Sequence, residues 1–309
     1  MHPKDFQAQQ NPITQAFEDA SRAMGFHERI APGFTEGRLI PQPAVASTRI
    51  DLSRAMTIGA TVDGVYALQE VPAGESQRLD AFVAENSRVA QAGARVIVAT
   101  PKPKAAPELG MYQSQALVRA INPATFAAVE DGANAAASAL PFADVTFGWE
   151  DAPSVAFNVT VSRAQQRAVG GGAQLEADLL HAILLGLAEA ADRTLLAAIV
   201  TSSPAAFSLG AAAARHLKFS DLRAIIGTSG TGATVRQDGA LAVQGIAAEL
   251  SAATASTIVG AFGRSAVAVR PEVDLHVKRV NANGDFTATV FASLIGLVPD
   301  ASSFWTVSA

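Results

Sequence analysis

GGGAQLEADLLHAILLGLAEAADRTLLAAIV, residues 170–200, is the stretch on which the fold turns. Leu175, Leu179, Ile183, Leu187, Ala190 and Leu195 recur mostly at three- and four-residue steps. That spacing gathers apolar side chains on one face of an α-helix. Glu176, Asp178, Glu189 and Asp192 fall at other positions. The pattern predicts a helix over 173–200, roughly 40 Å long at ~1.5 Å per residue. Few globular domains need a helix of that length. Gly170, Gly171 and Gly172 precede it as a flexible break.

Immediately upstream, Asp144-Val145-Thr146-Phe147-Gly148-Trp149 and Val155-Ala156-Phe157-Asn158-Val159-Thr160-Val161 flank the polar turn Glu150-Asp151-Ala152-Pro153. The second run alternates apolar and small or polar residues, so one face is apolar, and the pair reads as a hairpin. Downstream, Ser220 is placed to cap a short helix from Asp221, and Gly227 to Gly232 form a loop. The last fifty residues change to period two. Thr257–Gly260 and Ser265–Val269 are strand-like, and Val273, Leu275 and Val277 alternate with Asp274, His276 and Lys278. Asn283-Gly284 is a hairpin signal, and Phe286, Ala288, Val290, Ala292 and Leu294 alternate after it.

Towards the N-terminus, Gln15 to Glu28 reads as a helix with Phe17, Ala20, Met24 and His27 on one stripe. Prolines and glycines from Pro32 to Pro43 make Arg29 to Arg54 an extended arm, not a packed element. Met56 to Leu68 suggests strands around Asp63-Gly64, Glu75 to Ala92 a helix, and Arg95 to Thr100 a strand. Leu117 to Ala139 is alanine-rich and expected to be partly helical, with Pro123 at a helix start. No internal repeat is visible.

Composition narrows the function classes. Of 309 residues, 49% are apolar, enough for a sizeable core, while 17% are charged, below the ~25% usual in soluble proteins. There is no cysteine, which removes disulfides, thiol catalysis and Cys-ligated metals. The net charge of −5 argues against a dedicated nucleic-acid binder, whose affinity comes from Lys and Arg on phosphates. Met1 to Gln10 has no apolar run of the kind a secretory signal needs, and no run of 18 residues stays apolar. A soluble protein made in the cytoplasm is expected.

Catalytic and binding motifs are sparse. Gly227-Thr228-Ser229-Gly230-Thr231-Gly232 lacks the Gly-Lys-Ser/Thr end of a phosphate loop. His2, His27, His181, His216 and His276 show no metal-ligand spacing, and His181 reads as a packing residue beside the helix stripe. No Gly-x-Ser-x-Gly elbow occurs. Glu150-Asp151 lies in a turn, where solvation accounts for it. No catalytic residue, cofactor site or metal site is expected, and the pattern points to a structural role.

From Ala139 onward the order of elements resembles the tailed-bacteriophage major capsid protein with the Hong Kong 97-like fold. The resemblance covers about 170 residues. It rests on Ala139-Leu140-Pro141, the two strands ending at Val159-Thr160-Val161-Ser162-Arg163, the glycine break, and the long helix closing with Glu189-Ala190-Ala191-Asp192-Arg193. Thr257-Ile258-Val259-Gly260-Ala261-Phe262-Gly263-Arg264, then Arg270, Val273-Asp274-Leu275, Phe286 and Phe304-Trp305-Thr306-Val307, follow in the family's order.

The resemblance implies an α+β fold with an extended N-terminal arm, an E-loop, a long spine helix, and peripheral and axial domains. Residues 1–120 would be arm and extension, serving as a longer arm, an extra subdomain or an internal scaffold. Residues 121–204 would hold the E-loop, about 139–162, and the spine, about 173–200. The axial domain would be 205–256, and 257–309 would return as strands to the peripheral domain.

The implied function is a non-enzymatic shell subunit that assembles with itself into hexamers and pentamers around phage DNA, without sequence-specific binding or membrane contact. Portal and possibly scaffolding or decoration proteins are the implied partners, and the virion capsid is the implied location. Phe147, Trp149 and Phe157 are candidate E-loop anchors on a neighbouring subunit. Gly170, Gly171, Gly172, Gly227, Gly230 and Gly232 are candidate hinges. Some family members weld subunits through an E-loop lysine. Here Trp149 follows Val145-Thr146-Phe147-Gly148, and no lysine lies between Lys104 and Lys218, so non-covalent assembly is expected. The alternatives are an encapsulin-type compartment shell and, less favoured, an α/β enzyme with an unrecognised site.

Overall fold

The structure is a computed structural model that describes residues 12–23, 28–29, 38–39, 45–56, 77–99, 116–132, 134, 136–149, 152–169, 172–279 and 285–307. In chain order the first elements are α1 (Pro12–Ala23), β1 (Glu28–Arg29), β2 (Arg38–Leu39), β3 (Val45–Asp51), β4 (Ala55–Met56), β5 (Gln77–Arg78), α2 (Leu79–Asn86) and α3 (Arg88–Gln91). Strands β6 (Arg95–Val98), β7 (Ala116–Ile121), β8 (Phe142–Phe147) and β9 (Ser154–Val161) follow, then α4 (Arg163–Ala168), α5 (Gly172–Thr201) and α6 (Leu209–Ala213). The remainder is β10 (Arg223–Ile226), β11 (Ala233–Val235), β12 (Leu241–Val243), β13 (Ile246–Leu250), β14 (Ile258–Gly260), β15 (Ala266–Val269), β16 (Glu272–Arg279), β17 (Phe286–Leu297) and β18 (Phe304–Thr306). The chain divides into two compact units. One comprises Met1–Val83, Ser154–Leu187 and Arg270–Ser293, and the other Ala84–Pro153, Ala188–Val269 and Leu294–Ala309.

The first unit is built on antiparallel pairing of β3 with β16, β16 with β17, and β17 with β9. Period-two alternation gives the sheet two different faces. Ile50, Val273, Leu275, Val277, Phe286, Ala288, Val290, Ala292 and Val161 are buried on one. The other carries a polar ladder across β9 and β17: Asn158 Nδ2 donates to Thr289 Oγ1 at 2.6 Å, and the Thr160 and Thr287 hydroxyls lie 2.9 Å apart. Arg49 on β3 reaches Glu272 at 2.8 Å and Asp274 at 3.2 Å on β16. Helix α1 packs on β3 and β16, and its Thr14 hydroxyl donates to the Glu176 carboxylate on α5. The first half of α5 buries Leu175, Leu180, Ile183, Leu184 and Leu187.

The second unit contains a six-stranded mixed sheet in the order β11-β12-β13-β10-β14-β18, in which β10 and β13 run parallel. Its core gathers Phe207, Ala212, Leu222, Ala224, Ile226, Val243, Ile246, Val259, Trp305 and Val307. A second layer forms where β15 pairs with Leu294–Leu297 of β17 on one side and with β6, parallel, on the other. Helix α5 lies directly on this layer. A Cβ at Gly296 would stand 2.9 Å from the Thr194 carbonyl oxygen and 3.1 Å from Leu195 Cα, so only glycine lets helix and strand backbones approach this closely. The helix stops where Ser202 and Ser203 donate their N–H groups to the Ile199 and Val200 carbonyls, with Ser203 at φ 53. Pro204 cannot continue it.

The predicted spine helix, the strand at Arg95, the helical stretch after Glu75 and the alternating C-terminal strands are all present. Several expectations need correction. The first helix begins at Pro12 and ends at Ala23, so Met24 and His27 lie outside the described residues, as do most of Met56–Leu68 and Asn283-Gly284. The arm from Arg29 to Arg54 is not unpacked throughout, because β3 is paired over its full length and Ile50 and Leu52 are buried. Residues 1–120 are not all a separate extension, since β3 and β6 are integral sheet strands. Asp144–Trp149 and Val155–Val161 do not form a hairpin: β8 pairs with β7, while β9 pairs with β17. The alanine-rich segment after Leu117 is strand β7 followed by irregular chain, with no helix among its described residues. Ser220 sits inside a short 3₁₀ turn, Phe219–Asp221, after which Arg223–Ile226 is a strand. Finally, Ile258–Gly260 and Phe304–Thr306 belong to the six-stranded sheet, not to a return outside 205–256.

Gly296→Val is expected to cost about 1–3 kcal/mol or more by forcing α5 off the strand. Gly186, exposed in mid-helix with open space at its Cβ position, gives the opposite result: Gly186→Ala should stabilise by about 0.5–1 kcal/mol. Urea unfolding midpoints check both, and an unchanged midpoint for Gly296→Val would contradict the close approach.

Candidate assembly surfaces

Strands β7 and β8 form a two-stranded antiparallel ribbon in which Arg119 stands opposite Asp144. The guanidinium meets that carboxylate through two hydrogen bonds of 2.7 Å and lies 4.7 Å from the Phe142 ring centroid. The Arg119 hydrogen bonds hold the Asp144 carboxyl below its usual range. Two strands alone are marginal in water, and the ribbon is supported at its base. Val118, Val145, Phe147 and Trp149, together with Ile97 and Ile295, pack on Ala266, Ala268 and Leu297. Phe147 and Trp149 meet edge to face at 5.9 Å.

The far end of the ribbon is different. From Asn122 to Pro141 the chain has no helix or strand among its described residues. Phe126 is 94% exposed and Leu140 77%, with Ile121, Val129 and Phe142 also exposed. Scattered apolar residues on a surface are ordinary, but five exposed ones between positions 121 and 142 make this segment a candidate contact surface. The neck of this tip is closed by Asn122 N–H donating to the Pro141 carbonyl at 2.8 Å. Arg264 Nη1 also donates to Asn122 Oδ1 at 2.7 Å. Arg264 lies 3.7 Å from Asp300. Asp300 in turn accepts from the Ser303 hydroxyl at 2.7 Å and the Ser302 backbone at 3.1 Å. Burial pushes the Asp300 carboxyl up, but the serine hydrogen bonds and the charge of Arg215 outweigh it, and the net effect is downward.

A second polar node ties α5 to α3. Asp192 is buried and accepts from Ser87 Oγ at 2.6 Å, Arg88 N at 3.0 Å and Val89 N at 3.0 Å. Ser87 itself caps α3 by accepting from Ala90 N. The carboxylate thus satisfies helix-start donors that would otherwise be orphaned in the interior. Burial raises the Asp192 carboxyl above its ordinary value, partly offset by the Ser87 hydroxyl, the two amides and the Arg88 charge.

The sequence-derived site residues are distributed, not gathered. Phe147 and Trp149 are half-buried and pack at the ribbon base on Ala266, Ala268 and Leu297. Phe157 lies on β9 opposite Val290 and is 44% exposed. Gly170 and Gly171 lie outside the described residues, and Gly172 is the first residue of α5. Gly227 is a packing position, since a Cβ there would stand 2.6 Å from the Thr254, Ala255 and Ser256 backbone. The adjoining loop is pinned by Thr228 and Ser229 N–H groups on the Thr254 and Ala255 carbonyls. Gly230 and Gly232 adopt positive φ, 65° and 73°, the conformations glycine permits. His181 packs edge-on against Phe82 at 5.4 Å, as its position predicted. Among the described residues no group of three His, Asp or Glu could hold a metal, and no helix is long and apolar enough to cross a membrane. Sequence reasoning missed Asn122, Phe126, Leu140, Arg264 and Asp300. The available signal was non-periodic: bulky apolar residues isolated among alanines between Pro123 and Pro141.

No family model matches the sequence, and no curated protein matches it. Among solved structures, the chain is similar to the capsid of an empty GTA particle at 11% identity, covering 82% of this chain and 96% of that one with a TM-score of 0.49. It is similar to the capsid of Cyanophage P-SCSP1u at 9% identity, covering 81% and 96%, TM-score 0.44. It is also similar to a virus-like particle from Pyrococcus furiosus at 10% identity, covering 74% and 98%, TM-score 0.39.

Asp192→Ala strands a hydroxyl and two amides in the interior and should cost about 3 kcal/mol. Asp192→Asn tests the charge. A carboxyl raised in the fold contributes stability that is fully present below its unfolded value and is lost as pH rises through the folded one. The wild-type melting temperature should therefore gain on Asp192→Asn as pH falls from 7 towards the ordinary value of 3.8. A constant difference, or one that grows towards pH 7, would contradict the burial of this carboxyl.

Proposed function

We propose that this protein is the structural subunit of an icosahedral shell with the Hong Kong 97-like fold, assembling with itself into hexamers and pentamers. The observation that carries the reading is the ribbon tip, where Phe126 and Leu140 stand almost fully in water on a protrusion whose base is anchored to its own chain. A second copy is the simplest partner for such a surface, since a soluble protein keeping it bare would aggregate. Supporting features are the thirty-residue helix α5, the long strand β17 that contributes to both units, and the six-stranded sheet of the second unit.

In this reading the β7–β8 ribbon takes the place of the E-loop, the six-stranded sheet that of the axial domain, and α5 that of the spine. The contact anchors move from Phe147 and Trp149 to Phe126 and Leu140, with Phe157 retained as an exposed candidate on β9. Gly170, Gly171 and Gly230, the last with open space at its Cβ position, remain the hinge candidates. The enclosed content is double-stranded DNA held without sequence-specific contact, which a net charge of −5 permits. Portal, scaffolding or decoration proteins complete the partner set, and the virion is the location. Assembly is non-covalent, because the segment that would carry a crosslinking lysine has none.

Burying one Phe or Leu at a contact is worth about 1.5–3 kcal/mol, and every copy in a shell repeats it. Phe126→Ser combined with Leu140→Ser should leave the circular dichroism spectrum unchanged and abolish large particles in sedimentation velocity. Wild-type-sized particles from this variant would contradict the tip contact. On denaturing gels, purified particles should run as a single monomer band, and a ladder of multimers would contradict non-covalent assembly.

A further inference from the structure

The geometry points to Arg264 as the residue that aims the ribbon tip, acting through its hydrogen bond to Asn122. This role rests on the shell reading above and adds a specific positioning residue to it.

Arg264 sits on a fixed platform. It ends the short turn Phe262–Arg264, whose Phe262 is buried and meets Phe304 edge-on at 5.4 Å. The turn is closed by Arg264 N–H on the Ala261 carbonyl and by Ser265 Oγ on the Phe262 carbonyl. Ala261 N–H donates to the Ser303 carbonyl, which joins this platform to the Asp300 turn. The guanidinium is only one-fifth exposed, so its direction is set by packing and not by solvent.

Asn122 follows β7 directly and opens the irregular tip. Its neighbour Pro123 has no N–H to give, and the neck bond of Asn122 to Pro141 is a backbone bond that fixes the two strands to each other but not to the body. The side-chain bond from Arg264 supplies that tie to the body. The division of labour at Arg264 supports the role. Nη1 lies between the two partners, 3.7 Å from the Asp300 carboxylate that balances its charge and 2.7 Å from the Asn122 amide oxygen that accepts its hydrogen bond. Removing the Asn122 side chain therefore strands no buried charge, and the cost falls on tip direction instead of on folding. A tip held in one direction loses less freedom when it docks, which is the advantage of preorganisation.

The test uses the full chain with Asn122→Ala and Asn122→Asp. Aspartate keeps an acceptor for Arg264. Three readouts are compared: thermal unfolding, hydrogen exchange across 116–122, and the protein concentration at which particles form. Asn122→Ala should leave the unfolding midpoint within a degree or two, speed exchange at the neck several-fold, and raise the assembly concentration roughly tenfold. Asn122→Asp should return exchange and assembly to near the wild-type values. Asn122→Ala with wild-type exchange and assembly would overturn the proposal, as would an Asn122→Asp variant as impaired as Asn122→Ala. If wild type and variants all fail to form particles, the shell reading falls, while exchange at the neck still decides whether Arg264 holds the ribbon.

Discussion

Helix α5 can rest on β17 only because position 296 has no side chain. At Gly296 the strand backbone comes within van der Waals reach of Thr194, Leu195 and Ala198, so the second half of the helix and the end of the strand form one rigid corner. The rest of the second unit is attached to that corner. β15 pairs with β17 beside Gly296 and β6 pairs with β15. Asp192, one turn before the contact, reaches the start of α3, while Ala266, Ala268 and Leu297 form the floor for the ribbon base. An alanine or valine at 296 would propagate through each of these joints, because close-packed interiors do not absorb displacement locally.

The same corner explains why the ribbon can protrude. A free two-stranded ribbon is marginal, but Phe147, Trp149, Val118 and Val145 bury its base on that floor. Arg119 and Asp144 lock its register. Rigidity at the base and polarity at the neck leave the apolar side chains at the tip, where they have no use inside the chain.

The parts of the fold legible in sequence are those decided locally. α5 announces itself by leucines at helical spacing, and β16 and β17 by strict alternation that the structure reproduces as one buried and one polar face. What was not legible is partner choice. β8 and β9 are adjacent in sequence and both alternate, which suits a hairpin. Yet β8 is claimed by β7 through the Arg119–Asp144 pair, and β9 by β17 through the Thr160–Thr287 and Asn158–Thr289 contacts. No local pattern encodes the β9–β17 match, whose partners lie more than a hundred residues apart, or selects β7 over β9 as the partner of β8. The alanine-rich segment misled for a related reason. Alanine favours helix, but a short helix without an apolar face to bury is not stable, and proline at 123 and 141 bounds the segment. Its candidate contact residues were hidden because exposed Phe126 and Leu140 show no period, and because Arg264 reaches Asn122 only across 142 positions of the chain.

Electron microscopy of the purified protein separates a shell subunit from a small oligomer. A shell subunit should give closed icosahedral shells, or rings of five and six copies, with the six-stranded sheets converging on the axes and the ribbon tips lying on adjacent copies. A small monodisperse oligomer under every assembly condition, with the tip of each ribbon still in solvent, would contradict it.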